Sequence, residues 1–314
     1  MIVAPAFFSI INSFLFIIYS LFTPAPSTAA PITFSDAENV KMSFVTYADP
    51  QVLPFGYHQV YLERGFEDIE NSDVDFDALL IAGDITELSD LISYNIFWDS
   101  MEASEMENII LATGNHDLKV NYKNNLKMIT EKVEEYIGVD TDKPYYSYDV
   151  NGYTFIVLGS EKMLFDEAYI SEEQLLFLDC ELARATANGK PAFVICHQPL
   201  TNTHGVPSAT FGNGDLGEQS AQVREILEKY CNVFFLSGHL HDGITGKNLE
   251  VLNEKNGVYS INLPAFGRVN EKGDFTQMGI GTFAEVYDGQ VVFTARDFVN
   301  GYNLEGCSMA FTLK

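Results

Sequence analysis

Short apolar runs alternate with amphipathic stretches over the first part of this chain. The apolar runs span 42–48, 78–82 and 108–112, and helical periodicity covers 57–70 and 88–101 between them. Strands that alternate with helices predict parallel strand–helix–strand units. Ligands of such sheets gather beyond the carboxyl ends of the strands, so the residues that follow each run are the first candidates for function.

The later part of the chain has a different pattern, in which tight turns join neighbouring strands. Asn151-Gly152 separates two strand-like runs and predicts a hairpin with a primed turn, and Asp288-Gly289 predicts a second hairpin turn. Ser171-Glu172-Glu173-Gln174 is a capping box that opens a helix, and another helix is predicted over 221–230. The further predicted strands are 145–150, 153–158, 193–196, 233–236, 257–263, 282–287 and 290–294. The whole pattern predicts two stacked sheets with helices outside.

An apolar stretch dominates residues 1–30. Pro24 and Pro26 interrupt it, and Ser27-Thr28-Ala29-Ala30 supplies the small residues of a cleavage site, which predicts a secretory signal peptide. No Lys or Arg precedes Lys41, and an uncleaved membrane anchor over residues 6–23 is the alternative, although this stretch is short for a bilayer span. We therefore expect one domain over 31–314 that is secreted, periplasmic or at the cell surface, and that meets a membrane only if the N-terminus stays uncleaved.

Acidic residues far outnumber basic ones, with 44 Asp and Glu against 18 Lys and Arg and a net charge of −26. We expect no nucleic acid binding, because contact with a phosphate backbone needs cationic groups. An anionic substrate would need a local source of positive charge, and bound metal ions are the obvious candidate.

Groups that bind divalent metal ions follow the apolar runs. Asp49 follows the first run, Asp84 follows the second, and Asn115 comes shortly after the third. A charge at the end of an apolar strand is costly unless it is paired or coordinates a cation. Alone, Gly83-Asp84 is more typical of a helix cap than of a ligand, so the prediction rests on the recurrence of such groups.

Histidines recur in segments of the same kind. Four of the six in the chain are His116, His197, His239 and His241, and the last two share one face of an extended segment. Imidazole suits zinc and iron while carboxylates suit magnesium and manganese, so the mixed set leaves the metal open. His204 lies in a loop, where a substrate contact and a plain surface position agree equally well with the sequence.

Taken in chain order, these segments resemble the motifs of the calcineurin-like metallophosphoesterase superfamily, from about Val45 to Tyr287. The resemblance implies an α/β fold, a four-layer α/β/β/α sandwich of two mixed sheets. It also implies two divalent metal ions, which are Mn, Fe or Zn, and a small phosphate ester as substrate.

The resemblance further implies roles for the matched residues. His116 is the general acid that protonates the leaving oxygen, and Glu87 is the carboxylate that orients it. A hydroxide between the two metals attacks the phosphorus in line. Asn115 and His204 are the candidate substrate contacts. Asp49 and His241 hold the first metal, Asp84 bridges both, and Asn115, His197 and His239 hold the second.

Two positions depart from the usual family pattern. Gln51 stands where a histidine is common in the family, and its amide oxygen would bind the first metal more weakly than an imidazole. The form Asp49-Pro50-Gln51 resembles one branch of the superfamily that includes eukaryotic phosphatases. His58 either compensates as a ligand or faces solvent on the following helix. Leu88 stands where Ser/Thr protein phosphatases carry a phosphate-binding arginine, so the chain differs from that branch.

The sequence thus predicts an exported phosphoesterase with two metals that hydrolyses phosphate mono- or diesters. The alternative, motivated by Gln51, is a metal- or phosphate-binding protein of the same fold with weakened or absent catalysis. The loops expected to select the substrate, at 55–59, 119–125 and 204–217, contain no interpretable motif.

Overall fold

The computed structural model describes residues 29–104, 106–205, 215–244, 248–270, 273 and 275–314. The predicted signal peptide or anchor therefore lies almost wholly outside the described residues, as does most of the loop 204–217. Within the described ranges, no helix combines the length and the apolar composition that a bilayer span requires.

Two mixed sheets of six strands each form the centre of the described structure. In chain order the strands are β1 (Met42–Tyr47), β2 (Ala78–Ala82), β3 (Ile109–Ala112), β4 (Tyr146–Val150), β5 (Tyr153–Val157), β6 (Ala192–Ile195), β7 (Val233–Ser237), β8 (Leu249–Asn253), β9 (Val258–Asn262), β10 (Ile280–Val286), β11 (Gln290–Asp297) and β12 (Tyr302–Thr312). The first sheet has the order β12-β11-β10-β1-β2-β3, with β1 to β3 parallel. The second has the order β4-β5-β6-β7-β9-β8, with β5, β6, β7 and β9 parallel.

Helices pack against the outer faces of the sheets. They are α1 (His58–Glu70), α2 (Leu91–Ala103), α3 (Asn115–Leu118), α4 (Tyr122–Ile137), α5 (Glu172–Ala185) and α6 (Ser220–Glu228). Phe66 of α1 meets Tyr47 of β1 with ring centroids 5.9 Å apart, while α4 contacts β3. On the second sheet, α5 contacts β5 and α6. The predicted α/β fold with two mixed sheets and outer helices is confirmed.

Aromatic side chains fill the space between the two sheets. Phe44 of β1 meets Phe155 and Phe193 of the second sheet edge-to-face, with ring centroids 5.1 and 4.8 Å apart. Phe193 stacks on Phe234 at 5.6 Å, and all four rings are fully buried. Each such pair adds roughly 0.5–1.5 kcal/mol beyond the burial of its area. This packing fixes the central strands of the two sheets relative to one another, and therefore the groups at their ends.

Several elements differ from the sequence prediction, and the short helix α3 is one of them. The helix α4 begins at Tyr122, so the loop predicted over 119–125 ends at Asn121 and the prediction is wrong for 122–125. The strands β8 and β12 were not predicted, and both lie at sheet edges. Edge strands are half-exposed, and the polar residues along them obscure the apolar pattern. Phe311 of β12 nevertheless reaches the core, where its ring lies 5.3 Å from that of Phe234.

Candidate metal centre

The predicted ligands meet at the carboxyl ends of the central strands of both sheets. The main-chain nitrogen of Asp49 donates to the carbonyl of Gly83 at 3.2 Å, and that of Gly238 donates to the carbonyl of His197 at 3.0 Å. Potential ligand atoms of Asp84, His197 and His239 all lie within 4.8 Å of one another. Parallel strands in two facing sheets therefore bring together side chains that are far apart in the sequence.

The main chain of β2 orients His197. Its Nδ1 donates to the carbonyl of Ala82 at 2.8 Å, which turns Nε2 toward Asp84 Oδ2 at 3.2 Å and Asp49 Oδ1 at 3.8 Å. Metal-binding histidines commonly have this arrangement, with the second ring nitrogen held by a carbonyl. Burial would lower the pKa of His197, but Asp84 and Asp49 raise it to about 10. A metal ion that binds Nε2 would therefore compete with a proton.

Asp49 links the end of β1 to the two histidines after β7. Its Oδ1 lies 3.0 Å from His241 Nε2, and its Oδ2 accepts from the main-chain nitrogen of His239 at 3.0 Å. Burial would raise the pKa of Asp49, but His241 and His197 lower it, so the carboxylate is ionised. Burial and His197 lower the pKa of His239 to about 3, so its imidazole is neutral and able to bind a metal.

Two amide oxygens at the centre are buried and have no hydrogen-bond partner. They are Gln51 Oε1 and Asn115 Oδ1. The amide nitrogens are engaged, because that of Gln51 donates to Asp84 Oδ2 at 3.3 Å and that of Asn115 donates to the carbonyl of Phe165 at 3.1 Å. An unpaired buried acceptor costs about 1–3 kcal/mol, and a bound cation would satisfy it. Carboxylates, imidazoles and free amide oxygens together fit a site for divalent cations.

Most of the predicted ligands have unusual backbone conformations. Five of the seven are left-handed, with φ of 51° at Asp49, 41° at Gln51, 51° at Asp84, 73° at His239 and 48° at His241. Such conformations cost about 1–3 kcal/mol per non-glycine residue and cluster at functional sites. The strain lies where the chain turns away from the strand ends, and it supports a function for these turns.

His116 lies beside this cluster and is tied to Glu87. Its Nε2 is 4.0 Å from Asp84 Oδ2, and its Nδ1 is 2.8 Å from the main-chain oxygen of Glu87. The carboxylate of Glu87 is farther away, with Oε2 3.5 Å from the same nitrogen. The ring is 22% exposed, so a substrate could reach it. Glu87 thus contacts His116 more closely through its main-chain carbonyl than through the carboxylate that was predicted to orient it.

Asp117 is a buried carboxylate to which the sequence prediction assigned no role. It accepts hydrogen bonds from the main-chain nitrogens of Gly114 at 2.9 Å, Ile85 at 3.2 Å and Thr86 at 3.2 Å. Burial and the nearby Asp84 raise its pKa to about 6. Asp117 therefore ties the segment after β2 to the segment after β3. Its capping distance from Gly114, three residues, could have suggested this position.

Two basic residues near His116 were also missed. Lys119 Nζ lies 2.5 Å from His116 Nδ1, and Arg268 Nη2 lies 3.1 Å from Glu87 Oε2. Arg268 belongs to a loop after β9, far in sequence from the motif of Glu87. No local pattern indicates that this loop reaches the centre.

The other two histidines have different surroundings. His204 is buried, and its Nε2 lies 2.9 Å from Ser260 Oγ on β9. This placement adds no support to a contact with substrate, which stays a prediction. His58 is the first residue of α1, but it is only 3% exposed, so the expected solvent-facing position is wrong.

Comparison with known proteins finds a family model and solved structures that resemble this chain. A family model described as calcineurin-like phosphoesterase matches residues 55–243. A dimetal phosphatase from Danio rerio superposes with a TM-score of 0.65 at 15% identity, over 88% of this chain and 100% of that one. A "predicted phosphoesterase" from Streptococcus pneumoniae gives 0.43 at 12%, over 86% and 97% of the two chains. Vacuolar Protein Sorting 29 from Cryptosporidium parvum gives 0.37 at 11%, over 88% and 99%. A search of curated protein sequences finds no match.

Proposed function

This chain belongs to the calcineurin-like phosphoesterase family, and we propose that it hydrolyses phosphate mono- or diesters with the help of two divalent cations. The observation that carries the proposal is the cluster of Asp84, His197 and His239, whose ligand atoms lie within 4.8 Å of one another. The free amide oxygens of Gln51 and Asn115 support it, because they complete a donor set for cations.

The position of Asp84 supports its role as a shared ligand. Its Oδ1 accepts from the main-chain nitrogen of His116 at 2.8 Å. Its Oδ2 lies 3.3 Å from Gln51 Nε2 and 3.2 Å from His197 Nε2, between the groups proposed for the two metals. When bound, such a pair of cations neutralises charge on the phosphoryl oxygens and lowers the pKa of a water molecule.

His116 is the proposed general acid. With Nδ1 held by the main-chain oxygen of Glu87, the ring presents Nε2 on the side of Asp84. A proton passes from Nε2 to the leaving oxygen as the bond to phosphorus breaks. Proton delivery by a positioned side chain typically contributes about 10²–10⁴-fold in rate.

A metal and substrate panel tests the proposed function. The full chain is stripped of metal, reloaded with Mn, Zn or Fe, and assayed with p-nitrophenyl phosphate, bis(p-nitrophenyl) phosphate and a cyclic nucleotide. We expect two metal equivalents per chain and turnover of at least one ester. His197→Ala should lose turnover and the second metal equivalent. One equivalent or none, without turnover, would instead favour the binding protein suggested by Gln51.

We also propose that the protein is exported. The support is the apolar stretch before Pro24 and the small residues that end at Ala30. Mass spectrometry of the N-terminus tests this proposal on protein from the medium and from membranes. A mature chain that begins near residue 31 supports secretion, and an intact N-terminus in the membrane fraction supports the anchor over residues 6–23.

A further inference from the structure

A loop after β9 brings a guanidinium group to the edge of the metal centre. Arg268 Nη2 lies 3.1 Å from Glu87 Oε2, and the same oxygen lies 3.5 Å from His116 Nδ1. The contact with Arg268 is an ion pair, and Glu87 Oε2 accepts no hydrogen bond within the described residues. The arginine side chain is 38% exposed. A guanidinium has five N–H donors, so Arg268 keeps donors for an anion that enters the centre.

Hydrogen bonds fix this loop to the metal-binding segment after β1. The main-chain nitrogen of Phe266 donates to the carbonyl of Ala48 at 2.8 Å, and that of Gly267 donates to the carbonyl of Asp49 at 3.0 Å. A Cβ atom on residue 267 would lie 1.7 Å from the carbonyl oxygen of Pro50. Only glycine allows the loop to approach so closely, and Arg268 follows immediately.

Two further residues surround the loop. The side chain of Asn270 pairs with the main chain of Ala265, accepting from its nitrogen at 2.8 Å and donating to its carbonyl at 3.0 Å. On another side lies His58, whose pKa is lowered to about 4 by burial and by the charge of Arg268. His58 is therefore uncharged near neutral pH and does not repel the guanidinium.

The charge of Arg268 is hard to explain as a stabilising feature. The chain has only 18 basic residues against 44 acidic ones, which gives a net charge of −26. A partly exposed ion pair such as Arg268 with Glu87 contributes little to folding stability. Hydrogen bonds hold this loop in place, and the loop brings one of the few basic side chains beside the metal centre. The binding of an anion there explains this arrangement better.

The inference rests on the proposed function and concerns the class of ester. A phosphomonoester is a dianion with three non-bridging oxygens, whereas a diester is a monoanion with two. We propose that Arg268 binds a phosphoryl oxygen of the substrate and thereby makes the centre prefer phosphomonoesters to phosphodiesters. A guanidinium forms charge-assisted hydrogen bonds with phosphate oxygens, so the extra oxygen and charge of the monoester gain most from it.

Three variants of the metal-loaded full chain test this role. Arg268→Ala should lower kcat/KM for p-nitrophenyl phosphate by about 10- to 100-fold, as expected for a lost charged hydrogen bond, and that for bis(p-nitrophenyl) phosphate by about threefold or less. Arg268→Lys should be intermediate, because lysine is a point charge without the planar fork. Arg224→Ala is the matched control, since Arg224 pairs with Glu228 on α6 and is 41% exposed.

Binding of inorganic phosphate, measured by calorimetry, gives a readout that needs no turnover. Arg268→Ala should weaken it by a factor similar to the loss for the monoester, with metal content and Tm unchanged. Equal losses for both esters, unchanged phosphate binding, or loss of metal would each overturn the role of Arg268. If the wild-type protein hydrolyses none of the three panel esters but binds phosphate through Arg268, the proposed function fails and this phosphate contact stands. If it neither hydrolyses esters nor binds phosphate, both fail.

Discussion

Replacement of His116 by asparagine should separate proton transfer from metal binding. The nearest ring nitrogen of His116 is 4.0 Å from Asp84 Oδ2, whereas that of the proposed ligand His197 is 3.2 Å away. The hydrogen bond from His116 to Asp84 Oδ1 comes from the main chain, so the variant keeps it. We therefore expect His116→Asn to retain the metal content of the wild-type protein.

The loss of rate should depend on the leaving group. A general acid contributes about 10²–10⁴-fold, which corresponds to roughly 2.7–5.4 kcal/mol of barrier. An alkyl phosphate needs the full contribution, because an alkoxide is a poor leaving group. p-Nitrophenolate leaves without a proton, so His116→Asn should lose at most about tenfold with p-nitrophenyl phosphate.

The assay compares kcat for the two esters by phosphate release at saturating substrate, alongside metal analysis of each preparation. The nitrophenyl ester serves as the internal control, because it reports binding and attack without the need for an acid. An equal loss for both esters would refute the role of His116 as general acid. Loss of metal on the same change would show that His116 is a ligand instead.

Three further predictions address the centre itself. Asp84→Asn should lose both metals. Added Mn²⁺ should then no longer stabilise the fold in calorimetry, where each occupied site would contribute about 2.7 kcal/mol at 100 times Kd. A variant that Mn²⁺ still stabilises would contradict the shared role of Asp84. His197 holds a proton below its raised pKa of about 10, and a metal must displace this proton to bind. Metal affinity should therefore rise about tenfold per pH unit between about pH 7 and 9. An affinity that does not change with pH would argue against His197 as a ligand. Gly114→Ala would place a Cβ 2.1 Å from Asp84 Oδ1 and should lower the free energy of unfolding in urea by about 1–3 kcal/mol. Gly289→Ala, with no atom within 4 Å of its Cβ, is the control, and equal midpoints would contradict the clash.

The sequence was sufficient for the central strands because they are buried on both faces. Every residue of β2 and β7 is buried, and a continuous apolar run stands out from its surroundings. No residue of the edge strand β8 is fully buried, and in β12 only Leu304 and Phe311 are, so the same reasoning misses both strands. Helix α4 starts after Asn121, whose φ is 57°, and polar residues in its first turn are as typical of a loop as of a helix.

Residue types at the centre could also be predicted, because the ligands directly follow predicted strands. Contacts made by loops that are distant in the sequence could not be predicted. The ion pair of Arg268 with Glu87 and the burial of His58 both depend on how the loop after β9 packs against the segment after β1. The hydrogen bonds of Asp117 likewise join two segments whose spacing is set by the sheet. Such tertiary contacts have no local pattern.

The left-handed backbone conformation of Gln51 has a consequence for the evolution of related proteins. Glutamine adopts a φ of 41° only with strain, whereas glycine adopts it freely. In a descendant that no longer required a cation there, glycine would relieve this strain, at the expense of the hydrogen bond from Gln51 to Asp84. Among homologues, the residue at position 51 should therefore distinguish proteins that still bind a cation at this turn from proteins that no longer do.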